Sequence, residues 1–446
     1  MSKRPSRCLG LVVAALLLAA RPGLAEPQRL TLQDCERLAL QRNLGLVAAQ
    51  KGIRAAEEGV NASRAYALPT IEAQGAYMRL GPEVSLEVPT PGGPQKVVVS
   101  RGESKTATLS LSQILFSSGR VESGIEAAKK SLAGMRAAFD DSVDQVLFST
   151  RESFYNALRA KALEAAAEES VRQASEHVRV ARARFQAATV PQVEVMRAEV
   201  ELADAQYRLS QAKQGRELAL ITLRNVMNAP PDQEMELVEE GPPKPATCSL
   251  EECLTWAQAH RKDLMALRQQ IEAVRAGAKA AGAGALPAVM LTGKETWQQK
   301  TAFSSDRSWS VVVGLSVPIF DGLLARSQAH QLDRQAEQLL AQAEQLAQGI
   351  DAQVRSAHLS MRTAEEQLAA ANEARKQAKE VMRIAQLRYE AGVAASYEVI
   401  DAETALAGAE ANYANALYDL HIAQARLARA AAAYSARELE RPNPEE

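Results

Sequence analysis

Arg184-Phe185-Gln186-Ala187 is written again, 204 positions later, as Arg388-Tyr389-Glu390-Ala391. The flanks follow at the same offset: Val193-Glu194-Val195 against Tyr397-Glu398-Val399, and Ala198-Glu199 against Ala402-Glu403. Further out the offset becomes 218: Leu30-Thr31-Leu32-Gln33-Asp34-Cys35 matches Cys248-Ser249-Leu250-Glu251-Glu252-Cys253, and Ala67-Leu68-Pro69 matches Ala285-Leu286-Pro287. The difference of 14 residues is one insertion in the first copy, between Pro69 and Phe185. Leu80 to Lys105, with Pro82, Pro89, Pro91, Gly92, Gly93 and Pro94, is its natural place, and that composition predicts a loop. The chain is thus a duplication, with repeat 1 at 30–228, a proline-rich linker at 229–247 and repeat 2 at 248–439.

Each repeat reads as helix, two strands, very long helix, long helix. Thr31 with Asp34, and Ser249 with Glu252, are capping-box-like helix starts. Strands follow each Leu-Pro, over about 69–79, 106–115, 288–297 and 308–317. Ile71, Ala73 and Tyr77 alternate with Thr70, Glu72 and Gln74, and Ala107, Leu109 and Leu111 with Thr106, Thr108, Ser110 and Ser112. Trp309, Val311, Val313 and Leu315 likewise oppose Ser308, Ser310 and Ser316. Segments of about ten residues with a period of two fit membrane-barrel strands, and Tyr77, Trp297 and Trp309 near their ends fit an aromatic girdle. An ordinary half-buried sheet carries the same alternation.

The helices decide more. Arg120 to Phe185 is free of proline for 66 residues and Leu323 to Tyr389 for 67. At 1.5 Å per residue each would be about 100 Å long, roughly three bilayer thicknesses, so such helices project from a membrane. Ile125, Ala128, Leu132, Met135, Phe139, Val143 and Val146 step by threes and fours, as do Leu332, Ala336, Leu339, Ala343, Leu346 and Ile350, a coiled-coil spacing. Short turns, Gln186 to Pro191 and Ala391 to Ser396, return the chain along a second helix, Pro191 to Met227 and Tyr397 to Leu439.

Composition agrees. Aromatic residues are 4% of the chain, and alanine-rich, charged sequence favours close-packed helices over a sandwich. A net charge of −2 gives no reason to expect nucleic acid. Residues 1–25 read as a secretory signal: Lys3, Arg4 and Arg7, then 13 apolar residues from Cys8 to Ala20, then Gly23 and Ala25 before a cut at Glu26. No later run of 18 apolar residues follows, so any membrane part must be made of strands. One chain offers four strands, which cannot close, and open edges are not tolerated in lipid. Eight strands leave an interior filled by side chains, so a wide pore needs at least three chains. The Thr/Ser face would then line water and the apolar face meet outer-membrane lipid.

The duplicated Leu-Pro-strand-loop-strand-Phe-x-x-Gly unit resembles that of TolC-like outer-membrane efflux proteins. It stands as Leu68-Pro69 with Leu115-Phe116-Ser117-Ser118-Gly119, and as Leu286-Pro287 with Pro318-Ile319-Phe320-Asp321-Gly322. Arg388-Tyr389-Glu390-Ala391-Gly392, continuing to Tyr397-Glu398-Val399-Ile400-Asp401-Ala402, resembles the same family. The resemblance implies a mostly α fold with a small β membrane part: a homotrimer with a twelve-strand β-barrel and a trimeric α-barrel tunnel extending into the periplasm. It implies a passive, gated exit duct in the outer membrane for a tripartite efflux or type I secretion system, partnered by a periplasmic membrane-fusion adaptor and an inner-membrane pump.

By the same resemblance, Ala187, Ala188, Thr189 and Val190, and Ala391, Gly392, Val393 and Ala394, are adaptor-docking tips. Gly392 keeps the family's glycine; Ala188 does not, which puts a positive backbone angle at the first tip in question. Local chemistry alone makes both turns plain αα-hairpin connections. Glu398 and Asp401 match an acidic ring, and Glu194 and Tyr389 match gate positions at which a carboxylate and a tyrosine hydroxyl link adjacent hairpins. An arginine often found in that constriction is replaced by Ala394. The alternative role for Glu398 and Asp401 is to complement a helix N-terminus.

Cys248 and Cys253 occupy the two staple positions around Ser249, which touch. A disulfide and small apolar packing both fit; the unpaired Cys35 at the equivalent place favours packing. The five histidines are scattered and form no zinc spacing, and there is neither a Gly-x-Ser-x-Gly nor a phosphate loop, so no enzyme, metal or cofactor is expected. A coiled-coil periplasmic adaptor is the competing class, but it would carry one hairpin and a lipoyl-like domain where this chain has two hairpins and short strand pairs.

Overall fold

The computed structural model describes residues 28–79, 81, 83–100, 102–231, 235–239, 241, 249–299 and 305–433. The expected signal (1–25), Cys248, most of the linker and the C-terminal end of repeat 2 lie outside them. In chain order the elements are β1 (Gln28–Leu30), α1 (Leu32–Arg42), α2 (Leu44–Ala65), β2 (Thr70–Arg79), β3 (Val84–Thr90), β4 (Gly93–Ser100), β5 (Glu103–Phe116), α3 (Arg120–Gln186) and α4 (Gln192–Met227). The second half gives β6 (Met235–Leu237), α5 (Leu250–His260), α6 (Lys262–Gly282), β7 (Ala288–Gln298), β8 (Arg307–Ser316), α7 (Leu324–Glu390) and α8 (Ser396–Ala430). The molecule is mostly helical, and α3 and α7 are each a single helix of 67 residues. Among the described residues no helix is long and apolar enough to cross a membrane.

Two units can be distinguished. One comprises residues up to Leu44, Val143–Cys253 and residues from Val354 on; the other comprises Gly45–Ser142 and Leu254–Gln353.

In the first unit, β1 pairs in parallel with β6, Leu30 opposite Leu237, and both leucines enter a core with Cys35, Phe154, Leu158, Leu223 and Met227. Thr31 starts α1 with a full capping box: its hydroxyl accepts from the Asp34 amide at 3.2 Å while Asp34 accepts from the Thr31 amide at 3.2 Å. Ser249 and Glu252 repeat this at 3.3 and 2.9 Å. Cys35 is a buried free thiol, its pKa pushed up to about 12 by burial. Cys253, for which packing is the favoured expectation, is instead disulfide-bonded.

The second unit holds a four-stranded antiparallel sheet in the order β2-β5-β7-β8. Its strands start and end within three residues of their expected positions. The register sorts the two faces. Glu72, Ser110, Lys294 and Ser310 stand in one row, and Gln74, Thr108, Thr296 and Ser308 in the next row of that face. The opposite face carries Ile71, Leu111, Gly293 and Val311 in one row and Ala73, Leu109, Glu295 and Trp309 in the next. One face is therefore polar, and the other is mainly apolar and largely exposed, with Glu295 paired to Arg307 and with Lys105 toward one end.

Three expectations need correcting. The insertion at 80–105 is not simply a loop: β3 and β4 form an antiparallel hairpin with Leu86 opposite Val97 and Thr90 opposite Gly93. Val84, Leu86, Val88 and Val97–Val99 supply strand-forming side chains, and the prolines Pro89 and Pro94 face each other beside the turn, where a missing donor costs little. The opening helix of each repeat is a pair. The chain turns extended at Asn43 (φ −62°, ψ 119°) and at Arg261 (φ −61°, ψ 121°). Asn43 is held there by its side-chain amide, which donates to the Val226 carbonyl at 3.0 Å, and Arg261 pairs with Asp263 at 2.6 Å. Finally, α8 stops at Ala430 rather than Leu439, with Ala432 at φ 56°.

The Phe-x-x-Gly turns explain themselves. Ser118 (φ 50°) and Gly119 (φ 87°), and Gly322 (φ 69°) and Leu323 (φ 67°), put two successive left-handed residues between strand and helix. Glycine takes one of each pair without steric cost. Ser117 accepts from the Val121 amide at 3.1 Å, and Asp321 from the amides of Leu323 and Ala325 at 2.9 Å each, capping α3 and α7.

Candidate gate at the helix tips

The α3–α4 and α7–α8 turns have the same backbone. Ala188 (φ 57°) and Gly392 (φ 74°) are both left-handed. Thr189 N donates to Arg184 O at 3.0 Å, and Val393 N to Arg388 O at 3.0 Å; Ala188 and Gly392 donate to Phe185 O and Tyr389 O at 2.9 and 3.0 Å. The positive angle thus survives the loss of glycine. Thr189 adds a bond from its hydroxyl to Arg184 O at 2.9 Å. Ala187, Ala188, Thr189, Ala391, Gly392 and Val393 are exposed, and Val190 and Ala394 half-buried.

Glu398 sits in the first turn of α8 and pairs with Arg388 at 3.1 Å, within its own hairpin. Asp401, one turn on, is exposed. Glu194 is half-buried, near enough to Tyr389 for its charge to push that phenol's pKa up, though burial does more. Tyr389 is 4% exposed, and its hydroxyl lies beside Ser396 and Arg184 and is not bonded to a carboxylate, so no carboxylate–hydroxyl link forms within the protomer.

Arg184 of α3 takes the place of that link. Its Nη2 donates to Tyr389 O at 2.5 Å and Glu390 O at 3.2 Å, and its guanidinium lies 4.1 Å from the Tyr389 ring centroid. Two turns earlier on α3, His177 Nε2 is 2.8 Å from Ser396 Oγ, and its ring lies 5.3 Å from that of Tyr389. Burial, helped by the Arg184 charge, holds the His177 pKa below its ordinary value. Deeper along α8, Glu403 is buried, its pKa pushed up to about 7 by burial and then by the Glu201 charge. In the sequence Arg184 and Glu403 stand out only as parts of the repeat, and nothing marks His177 or Ser396; no local pattern announces a contact between hairpins.

The three aromatic residues share the apolar face of the sheet. Tyr77 stands opposite Lys105, Trp297 between Ala107 and Arg307, and Trp309 opposite Glu295, in three successive rows. Trp309 is 76% exposed. Around the other strand ends lie exposed Phe116, Ile319 and Phe320, which the sequence reading had not grouped.

Solved structures of the same fold include a membrane protein from Pseudomonas aeruginosa (20% identity, 90% of this chain and 93% of that one, TM-score 0.75). Others are the outer membrane protein VceC of Vibrio cholerae (18%, 90% and 95%, TM-score 0.75) and the open state of the MtrE outer membrane channel of Neisseria gonorrhoeae (22%, 90% and 88%, TM-score 0.72). No curated protein matches the chain. Residues 37–229 and 254–433 match the outer membrane efflux proteins, covering both repeats. With the duplicated helical hairpins and the two-faced sheet, that match leaves the periplasmic adaptor class unsupported, and the chain belongs to the outer membrane efflux protein family.

Proposed function

We propose that the chain is the outer-membrane exit duct of a tripartite efflux or type I secretion system, a passive homotrimeric channel that a signal at 1–25 exports and that reaches from the outer membrane through the periplasm. The observation that carries this is the sheet. It has one polar face, one apolar face, and two outer strands, β2 and β8, each with one unpaired side among the described residues. In lipid those edges must be paired, and three copies supply the twelve strands of a closed barrel. Thr106, Thr108, Ser110 and Ser112 then face the water-filled lumen. Tyr77, Trp297 and Trp309 form one interfacial girdle, with Phe116 and Phe320 near the opposite end of the strands.

The helical tips form the gate and the adaptor-docking surface. Residues 187–190 and 391–394 meet the membrane-fusion adaptor, while Glu398, Asp401 and Glu194 line the constriction and Tyr389 packs within the tip. Three copies place six carboxylates from Glu398 and Asp401 around one axis; with each Glu398 paired to Arg388, the Asp401 carboxylates carry the field that draws cations. An inner-membrane pump supplies the energy. The test is conductance in planar bilayers. Replacing Glu398 and Asp401 by Ala lowers cation selectivity and cation block; unchanged selectivity would remove the ring from the reading.

A further inference from the structure

The apolar face of the sheet changes character along its length. Its half toward α3 and α7, with Ile71, Leu111, Leu291, Val313 and Leu315, carries no charged residue. At the other end, within the three rows that hold Trp309, Trp297 and Tyr77, the same face carries Glu295, Arg307 and Lys105. One row further, Arg79 stands opposite Glu103, two charges that offset each other. The long helices leave the sheet after Phe116 and Ser316, so the charged end is the one turned away from them.

A charge on a lipid-facing surface is costly at mid-depth and tolerated at the headgroups, the level that tryptophan and tyrosine mark. Snorkelling to water accounts for a lysine there. It does not account for Glu295, a carboxylate on the same face. Glu295 accepts a hydrogen bond from Arg307 Nε, which leaves the two terminal guanidinium nitrogens without a partner among the described residues and the arginine side chain 66% exposed. Lys105 is exposed, has Tyr77 opposite it in the register, and makes no ion pair among the described residues. The two cations bracket Trp297: Arg307 stands beside it, and Lys105 is two residues from Ala107, its neighbour on the other side. Two strand spacings and two residues separate their backbones by about 12 Å. Cations so spaced on one face suit a headgroup that carries two phosphates.

We propose that Lys105 and Arg307 bind the diphosphorylated glycolipid of the outer leaflet, one phosphate each, with Glu295 as the positioning residue for Arg307. This rests on the reading of the sheet as part of an outer-membrane barrel. A phosphate monoester carries more charge than the diester of an ordinary phospholipid, which sets the preference.

The experiment adds diphosphoryl lipid A, monophosphoryl lipid A, phosphatidylglycerol or phosphatidylcholine to full mature-chain trimers in detergent and reads the lipid retained by native mass spectrometry. Diphosphoryl lipid A should be held about tenfold more tightly than each of the others, the size of one charge-assisted contact. Lys105→Gln and Arg307→Gln should each remove that margin. Lys294→Gln, which neutralises a lysine on the polar face of the same sheet, should leave it intact. If Arg307→Gln, with Glu295 uncompensated, fails to assemble, Lys105→Gln carries the test. A margin that survives Lys105→Gln in intact trimers, or that Lys294→Gln abolishes equally, overturns the site, as does equal retention of diphosphoryl lipid A and phosphatidylglycerol by the wild type. Conductance of the same preparations separates the two readings: trimers that conduct without a lipid preference lose only the site, and a chain that neither assembles nor conducts loses the barrel as well.

Discussion

At the first tip, Arg182 pairs with Glu199 at 2.6 Å on the surface, while Arg184 leaves its own hairpin to cap α7. At the second, Arg388 pairs with Glu398 at 3.1 Å inside its own hairpin, and Glu403, the counterpart of Glu199, is buried with Gln386 standing where its arginine would be. The backbone of the two turns follows one pattern: a left-handed third residue, at φ 57° and 74°, and the same pair of closing hydrogen bonds. Duplication has thus preserved how each hairpin turns while the side chains that join the hairpins have diverged. In a ring built from such chains, alternate hairpins are chemically unlike, and one kind can be held by the other.

The largest way to sharpen this contrast is Glu403. A carboxyl held near 7 instead of its ordinary 4.5 favours the protonated folded form. Its penalty is absent below about pH 4.5, grows as pH rises, and is complete above about 7, where it amounts to about 3 kcal/mol. Arg208, paired with Glu201 at 2.6 Å, offsets part of the repulsion. Glu403→Gln should therefore raise the local opening free energy of α8 at pH 8 by up to about that amount, measured by hydrogen exchange corrected for intrinsic rates. The equivalent Glu199→Gln should change stability by less than about 1 kcal/mol, as an exposed pair does. Equal effects at both sites would erase the contrast.

Next in size is Tyr389→Phe, which makes the second tip like the first, where Phe185 stands. Removing a buried hydroxyl that stands beside Ser396 and Arg184 without a well-formed hydrogen bond should leave the tip unchanged or stabilise it by about 1 kcal/mol, read by the same exchange. A loss of more than that would reveal a partner for the hydroxyl. Smaller still are the turn residues. Gly392→Ala should cost about 1 kcal/mol and Ala188→Gly should gain a similar amount, since a left-handed residue with a Cβ is disfavoured by roughly that much. Thermal denaturation of the two variants should move in opposite directions.

His177 titrates with the other sign. Its pKa is held down by burial, so its neutral form is the folded one; its contribution is complete above the ordinary value near 6.5 and is lost as pH falls below it. Exchange over 388–400 should accelerate on acidification in wild type and lose that dependence in His177→Gln.

Much of the architecture was legible because it is periodic. Proline-free runs gave α3 and α7 almost to the residue, and the period of two gave β2, β5, β7 and β8 with their faces. The repeat locates both turns. What escaped was either local chemistry outweighed by neighbours or contact between distant segments. Proline and glycine hid the β3–β4 hairpin, whose valines decide its pairing. Asn43 breaks α1 from α2 through a bond to Val226, 183 positions away. Arg184 reads as one more surface arginine until Tyr389, 205 positions on, is seen beneath it.

The most direct measurement of the shared exit duct is the conductance of the purified mature chain in a planar lipid film, with the number of chains per conducting particle counted by crosslinking. Three chains per particle and ion-conducting channels are the predicted result. Single chains that remain in the soluble periplasmic fraction, with no current under any condition, would contradict it.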